Sequence, residues 1–522
     1  MNKDMAGKLI ALGGMIFGIW LRILPAMLTE FPINDGGMFF EILRQIEEEN
    51  FRVPVNVNYN GLEIPFMYPP LTFYLANVLH RLFSISFLDL LIWMPAIASA
   101  LTVFAFYDLA RTLLKSEYEA GLAVAVFALI PRALTWLLMG GGLTRGFGEL
   151  FLLLAIRQIY STFTTGKKKH IFLAVCFSSL VVLSHPEAMV HTIGIALLIW
   201  FLSARNIQGV KQSVIIAVGV IAITSFWWIP ALARHGLSPI LSASQSGNHS
   251  AYAFLSPFLF AVSEEPFITI IAVLAAIGIF IALSNKQALL AALIVFPFIV
   301  EPRNAANIAI IPMAMLASLS LARLTELAFS DQVVGEHLLL SKRAARAMLI
   351  LFGITSLVNS SFVAYQVGKN YLSQDTLNVF NWIQKNTPNN ARFLVITGEA
   401  EGFCDPVQEW FPVFSERVSL TTIQGREWQT GISFSEYKEN MTKLQRCSKE
   451  NIGCVEDIAT EMQLNFDYLY IQRKNQNKLV CVPRGKTARG GDLILSIAEQ
   501  NSSAYVRVFF TEEAAIFKVV PK

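Results

Sequence analysis

Apolar segments long enough to cross a bilayer recur along most of this chain, and they leave few folds open to it. A spanning helix needs about 20 mostly apolar residues, and such runs lie near 9–28, 88–110, 119–138, 146–164, 170–184, 188–204, 212–232, 264–284, 287–300, 305–322 and 347–366. Inside lipid each segment must satisfy its own backbone N–H and C=O groups, so these runs read as a bundle of about eleven transmembrane helices. Composition agrees, with 54% of the 522 residues hydrophobic, 15% charged and a mean hydropathy of +0.50. The net charge is only +3, and Lys and Arg fall in short clusters between apolar runs, which gives no basic face for nucleic acid. The opening MNKDMAGK leads into an apolar run that continues past Gly13 to Leu28 without a small-x-small cleavage site, and reads as an uncleaved first helix.

Placing the N-terminus in the cytoplasm puts Arg111, Lys115, Lys167, Lys168, Lys169, Arg205, Lys211, Lys286, Arg323, Lys342, Arg343 and Arg346 on the cytoplasmic side, as the positive-inside rule requires. Segment 68–83 is apolar too, but it contains Pro69-Pro70 and Arg81, and is expected to lie as an amphipathic helix in the outer interface. As a span it would turn Arg111 and Lys167 outward. An odd number of spans carries the C-terminus outside. The expected division is therefore a transmembrane domain at 1–368, with a long first outer loop at 29–87, and a soluble extracytoplasmic α/β domain at 369–522. In the latter, strand-like runs at 392–397 and 467–471 follow a helical pattern at 376–385. Cys404, Cys447, Cys454 and Cys481 lie in this domain and permit a pair of disulfides, with the pairing open, which suits an oxidising compartment. The expected location is a prokaryotic plasma membrane.

Polar residues that topology does not explain collect on the outer side. They include Asp35, Tyr59 and Tyr68 in the first loop, then Arg132, Gly140, Gly141, Gly142, Thr144, Arg145 and Glu149. His185, Glu187, His191, Trp227, Trp228, His249, Glu264, Glu265, Arg303 and Asn307 follow. Ionisable groups within helix ends are costly unless they face a wet cavity or a partner. Each has a structural reading: Asp35 as the cap of a helix beginning at Gly36, Arg145 and Glu149 as an i,i+4 pair, His185 as a turn residue. Likewise Arg303 is readable as a snorkelling side chain, Trp227 and Trp228 as an aromatic belt, Glu264 and Glu265 as a solvated face. Their collection on one side argues for a polar vestibule that opens outward.

Asp35 just after the first span, Tyr68-Pro69-Pro70-Leu71 in a juxtamembrane helix, the many spans and the external α/β domain together resemble the GT-C superfamily of membrane glycosyltransferases. That superfamily includes protein O-mannosyltransferases, aminoarabinose transferases and oligosaccharyltransferase catalytic subunits. Asn381-Trp382-Ile383, Asn386-Thr387-Pro388 and Ala391-Arg392-Phe393 resemble the start of the soluble domains of prokaryotic members. The resemblance implies a sugar donor on a polyprenyl phosphate and transfer at the outer face to a glycan, lipid or protein acceptor. It also implies inversion at the anomeric carbon, with Asp35 as general base or metal ligand. The chain departs from the mannosyltransferases in having Gly36, not glutamate, after the aspartate.

Such a transfer needs a base at the acceptor hydroxyl and cations at the departing phosphate. Asp35 is the candidate base. Arg145, Arg303 and Arg132 are candidate phosphate clamps, because guanidinium meets phosphate bidentately and keeps its charge. Tyr59, Tyr68, Glu149, His185 and Glu187 are further candidates for substrate binding. Asp35, His185, Glu187 and His191 make a possible Mg²⁺ or Mn²⁺ set, with sugar binding or acid–base support preferred for the histidines. Trp410, Arg426, Glu427 and Trp428 of the outer domain are placed to cap the cleft and read the acceptor. The alternative is a polytopic transporter or flippase for a lipid-linked or polar substrate. That function places its groups near the bilayer midplane, whereas these charges keep to one face.

Overall fold

The computed structural model describes residues 2–246, 268–329, 336–429, 433–473, 491–499 and 504–520. The chain opens with α1 (Lys3–Leu28), α2 (Gly37–Glu48), the hairpin β1 (Asn56–Tyr59) and β2 (Leu62–Pro65), and α3 (Leu71–Phe83). It continues through α4 (Phe87–Leu114), α5 (Glu117–Leu129), α6 (Arg132–Thr135), α7 (Gly142–Thr165), α8 (Lys168–Val182), α9 (Pro186–Ser203) and α10 (Ile207–His235). Then come α11 (Ser238–Ser244), α12 (Ile270–Ser284), α13 (Ala288–Val300), α14 (Ala305–Phe329) and α15 (Glu336–Val367). Among the described residues, 6 helices are long and apolar enough to cross a membrane: α1, α4, α9, α10, α14 and the part of α15 from Lys342; α12 and α13 are shorter apolar helices.

One apolar run is not a continuous helix. Within 119–138, α5 ends at Leu129 and Ile130 is extended, because Pro131 disfavours helical backbone in the residue before it. The single turn α6 and an irregular stretch then lead to Gly141. This break turns the chain toward α7 at the level where Asp35 lies. Helix α3 has 13 residues, a rise of about 20 Å against about 30 Å of hydrocarbon, which fits an interfacial position. Its Arg81 reaches Glu47 of α2 at 3.0 Å.

Small residues bring α1 and α5 together. A β-carbon on Gly121 would strike the Gly7 carbonyl, and Gly14 and Gly18 lie against Ala125 and Ala128. Close backbone approach of this kind replaces the hydrophobic drive that lipid removes. Helix α14 is buried along almost its whole length, packed among α4, α5, α12 and α13.

Beyond α15 follow α16 (Gln374–Asn386), β3 (Arg392–Ile396), α17 (Pro406–Ser415), β4 (Val418–Ser419), α18 (Phe434–Arg446), α19 (Ile452–Glu461), β5 (Tyr468–Gln472), α20 (Gly491–Glu499), β6 (Tyr505–Phe510) and β7 (Ala514–Val519). The sheet order is β4-β3-β5-β7-β6, with β3 parallel to β4 and β5, and β7 antiparallel to β5 and β6. Its two faces follow the period-2 alternation of strands. Leu394, Ile396, Leu469 and Ile471 pack with Leu444, Val455 and Leu493 of α18, α19 and α20. On the other face Phe393, Val395, Tyr468 and Tyr470 pack with Phe380 of α16 and Phe411 of α17. That second core also takes in Phe31, Phe39, Tyr59 and Phe73, so the segment between α1 and α4 and the C-terminal sheet share one hydrophobic interior.

Cys447 and Cys454 form a disulfide with their Cα atoms 5.7 Å apart. Cys404 is disulfide-bonded as well, Cys176 is free, and Cys481 lies outside the described residues.

Candidate active site

Asp35 sits in the short link between α1 and α2. Its Oδ1 accepts from the Gly141 N–H at 2.7 Å and its Oδ2 from Arg145 Nη2 at 2.7 Å. Helix capping is therefore not its role. The N-cap of α2 is Gly36, with a φ of 122° open to glycine, and its N–H donates to Glu409 Oε1 of α17 at 2.9 Å. The glycine run has a steric purpose: a β-carbon on Gly140 would collide with the Asp35 carbonyl, while the Gly140 N–H donates to the Ile33 carbonyl at 2.9 Å.

Arg145, one turn into α7, also donates from Nη1 to the Trp136 carbonyl at 3.1 Å and lies 5.7 Å from the Trp136 ring centre. It does not form the i,i+4 pair with Glu149. Glu149 is buried and interacts electrostatically with Arg22 of α1, a residue passed over in the sequence although it stands alone in an apolar run. Arg22 is fully buried and donates to the Gly18 and Ala133 carbonyls at 3.1 and 3.2 Å.

A second cation comes from the turn between α13 and α14. Arg303 Nε lies 3.2 Å from Glu187 Oε1, and its Nη1 donates to Ser246 Oγ at 2.9 Å, so snorkelling is not its state. His185 is the N-cap of α9 and its Nδ1 accepts from the Ala188 N–H at 3.4 Å. Burial first, and then the charges of Arg145, Arg303 and His191, hold its imidazole well below the usual histidine range. His185 is thus a neutral group between two arginines.

Tyr68 joins these elements. Its hydroxyl lies near Thr144 of α7, and its ring meets Phe39, Phe73 and Trp428 at 5.1, 5.9 and 5.8 Å. Burial pushes the phenol up to about 12, so it stays protonated. Asp35, Tyr68, Arg145, His185, Glu187 and Arg303 are brought together at the helix ends beneath the C-terminal domain.

Other candidates are placed elsewhere. Arg132 Nε donates to Asn307 Oδ1 of α14 at 2.6 Å. The Tyr59 hydroxyl donates to the Glu409 carbonyl at 2.6 Å, inside the seam with the C-terminal domain. His191 Nε2 is 3.5 Å from Glu301 Oε2. Trp227 is buried against Phe66 at 5.3 Å rather than set in a belt. His249, Glu264 and Glu265 lie outside the described residues.

Asp35, His185, Glu187 and His191 do not form a ligand set: among the described residues no group of three His, Cys, Asp or Glu is placed to hold a metal ion. The Asp35 oxygens face Gly141 and Arg145, Glu187 faces Arg303, and His191 faces Glu301.

The C-terminal domain closes over this region. Trp410 Nε1 donates to the Asn34 carbonyl at 3.2 Å, and Asn34 Nδ2 donates to the Phe403 carbonyl at 3.1 Å. At the hairpin tip the Asn60 amide accepts from the Ser419 N–H at 2.7 Å and donates to the Ser419 carbonyl at 2.8 Å. Asn60 and Gly61 both have positive φ, 55° and 70°, the geometry of a tight Asn-Gly hairpin turn. Trp428 reaches Tyr68 with Glu427 beside it, while Arg426 turns away to lie 4.5 Å from the Tyr437 ring centre.

Solved structures share this fold. ArnT from Cupriavidus metallidurans bound to undecaprenyl phosphate aligns over 98% of this chain and 99% of that chain, with a TM-score of 0.53 and 12% identity. Its apo state aligns over 100% of both chains, with a TM-score of 0.54 and 12% identity. The arabinofuranosyltransferase AftD from Mycobacteria covers 100% of this chain with 40% of its own length, at a TM-score of 0.53 and 14% identity. Both are GT-C glycosyltransferases, and the likeness is one of fold. No curated protein matches the sequence. The family model of the 6-pyruvoyl-tetrahydropterin synthase related domain, described as a membrane protein, matches residues 66–367, more than half of the 522 residues, and the chain belongs to that family of integral membrane proteins.

Proposed function

We propose that this protein transfers a sugar from a polyprenyl-phosphate donor to an acceptor hydroxyl on the outer face of the membrane, with inversion at the anomeric carbon. The reading takes the bundle as about eleven spans, the N-terminus as cytoplasmic and the C-terminal domain as extracytoplasmic. The observation that carries it is the pairing of Asp35 with Arg145 at 2.7 Å, with Arg303, Glu187, His185 and Tyr68 gathered at the same helix ends. The fold likeness to ArnT, solved with undecaprenyl phosphate, supports it.

A polyprenyl tail stays in hydrocarbon while its phosphate and sugar lie among the headgroups, so the bond to be broken is held at the depth of the outer helix ends. The acceptor oxygen attacks the anomeric carbon from the face opposite the phosphate. The bond from that carbon to the phosphate oxygen breaks, the oxygen keeps the electron pair, and Asp35 takes the acceptor's proton. Each carboxylate oxygen has a further lone pair beyond those facing Gly141 and Arg145. Arg145 uses only part of its five-donor fork on Asp35 and Trp136, and the rest is available to the phosphate. One guanidinium thereby ties base and leaving group into register, and Arg303 adds a second positive charge where negative charge develops.

The test is direct. Full-length protein in nanodiscs, given a panel of polyprenyl-phosphate-linked sugars and acceptors, should release polyprenyl phosphate and glycosylate an acceptor, and Asp35→Asn should not. A wild-type protein that neither transfers sugar nor binds undecaprenyl phosphate defeats the reading. One that moves the intact lipid between leaflets without cleaving it is a flippase.

A further inference from the structure

The single turn Arg426–Trp428 of the C-terminal domain contributes Glu427, a carboxylate with one oxygen that no group among the described residues hydrogen-bonds. The N–H groups of Gly425 and of Glu427 itself lie near the Glu427 carboxyl. Its Oε2 is fully buried and has no hydrogen-bond partner among the described residues. A buried carboxylate oxygen left unpaired is costly, and native interiors seldom retain one without a reason. Burial, acting against its N–H donors and the charge of Arg303, raises this carboxyl to about 7.

Its neighbours are those of the candidate active site. The charge of Arg303 acts on Glu427, and Arg303 also faces Glu187. Trp428, the next residue, lies 5.8 Å from Tyr68, whose hydroxyl is near Thr144, one residue before Arg145. The placement is secured from both sides: Ser242 of α11 donates to the Gln429 carbonyl at 2.7 Å, and Arg303 donates to Ser246 at 2.9 Å. Gly425, at a φ of 87°, lets the chain pass against Ile64 of β2. The turn is therefore held against the membrane domain, with an acceptor oxygen and an indole beside the two arginines. A carboxyl group with a free oxygen next to an apolar aromatic face matches a polyhydroxylated ring, whose hydroxyls both donate and accept and whose C–H face packs on indole.

We propose that Glu427 and Trp428 form the sugar-recognising wall of the site, Glu427 accepting hydrogen bonds from the hydroxyls of the lipid-linked sugar and Trp428 packing on its C–H face. This rests on the transferase reading and adds to it that the C-terminal domain selects the sugar while the membrane domain holds the phosphate. Neither residue takes part in the bond changes.

Full-length protein in nanodiscs is titrated with undecaprenyl phosphate and with undecaprenyl-phosphate-linked hexoses and pentoses, and binding is read by native mass spectrometry. Wild type should bind at least one sugar-bearing lipid on the order of tenfold more tightly than the bare lipid phosphate. Glu427→Gln should erase that gap while leaving the bare lipid within about twofold of wild type. Trp428→Phe keeps an aromatic contact with Tyr68, is the second variant if Glu427→Gln does not fold, and should shrink the gap severalfold. A gap unchanged in the folded variants overturns the inference, as does a wild type that binds both lipids equally while still transferring sugar. A wild type that does not bind undecaprenyl phosphate at all overturns the transferase reading and this inference with it.

Discussion

Glu409 Oε1, in the C-terminal domain, accepts a hydrogen bond of 2.9 Å from the N–H of Gly36, the residue that follows Asp35. A carboxylate more than three hundred residues away thus serves the start of α2, where unpaired N–H groups and the helix dipole favour an acceptor. The side chain that docks the outer domain also fixes the backbone carrying the candidate base. Burial first, then the charge of Asp35, raises the Glu409 carboxyl to about 8, against the N–H groups of Gly36, Met38 and Gly37.

That shift has a definite sign. A carboxyl raised from about 4.3 in the unfolded chain favours the protonated folded state, so its stabilisation is fully present below about pH 4 and is lost as pH rises through 8. Thermal scans in detergent should show a melting temperature that falls between pH 5 and pH 8.5. Glu41 and Glu427, each raised to about 7 chiefly by burial, add to the same slope. Glu409→Gln should flatten the slope without removing it, since Glu41 and Glu427 still titrate, and it should fold, since Gln424, whose Oε1 has no partner among the described residues, can rotate to accept from the new amide. An unchanged slope would show that Glu409 does not titrate in this range.

Asp35 and Arg145 separate by the quantity each variant moves. Asp35→Asn keeps the acceptor for the Gly141 N–H but removes the base, and transfer should fall by about 10²–10⁴ with lipid-phosphate binding retained. Arg145→Lys replaces a planar fork by a point charge, and the KM for the lipid donor should rise by roughly tenfold or more. Steady-state kinetics on both variants check this, and full activity in either removes that residue from the mechanism.

Gly140→Ala places a methyl group against the Asp35 carbonyl. Overpacking of backbone against backbone should cost about 1–3 kcal/mol and displace Asp35 from Arg145. A lowered melting temperature together with lost transfer is the expected result. Gly13→Ala is the control, because a β-carbon there meets nothing within 4 Å, and it should leave both unchanged.

The Asn60 amide satisfies both backbone groups of the buried Ser419. Asn60→Ala strands that N–H and carbonyl, and should weaken docking of the hairpin on the C-terminal sheet by about 1–3 kcal/mol. Hydrogen exchange at β4 and at the hairpin should accelerate while exchange in α4 and α14 stays the same. Equal protection in both proteins would show that the hairpin is not a clamp.

Arg22 and Glu149 are both buried within the bundle and interact electrostatically. Arg22→Leu alone should destabilise by about 3–5 kcal/mol because it leaves Glu149 uncompensated, and Arg22→Leu with Glu149→Leu should be milder than the single change. A double-mutant cycle read by thermal melting decides it.

The helices were legible from the chain alone because hydropathy is a property of a segment and its solvent. Each apolar run carries helical structure, and Pro131 breaks one of them for a reason equally local. The strands at 392–396 and 468–472 announced themselves by β-branched and aromatic alternation, and Asp35 stood out as an acid just past the first span. Arg22 was legible too, as a lone guanidinium in an apolar run.

What no segment records is which charge meets which. Arg145 has Glu149 one turn away on its own helix, yet it pairs with Asp35, because Gly140 lets the two backbones touch and brings that carboxylate within 2.7 Å. Glu409 carries no sign in the sequence that it will cap α2, and Glu427 none that its Oε2 will be buried unpaired. Local sequence sets the free energy of a segment in lipid or water, and this determined the helices, the hairpin and the strands. Partners among buried charges are chosen by desolvation, which makes each one costly until packing brings a complementary group from elsewhere in the chain. The site was therefore decided by the shared core of the segment between α1 and α4 and the C-terminal sheet.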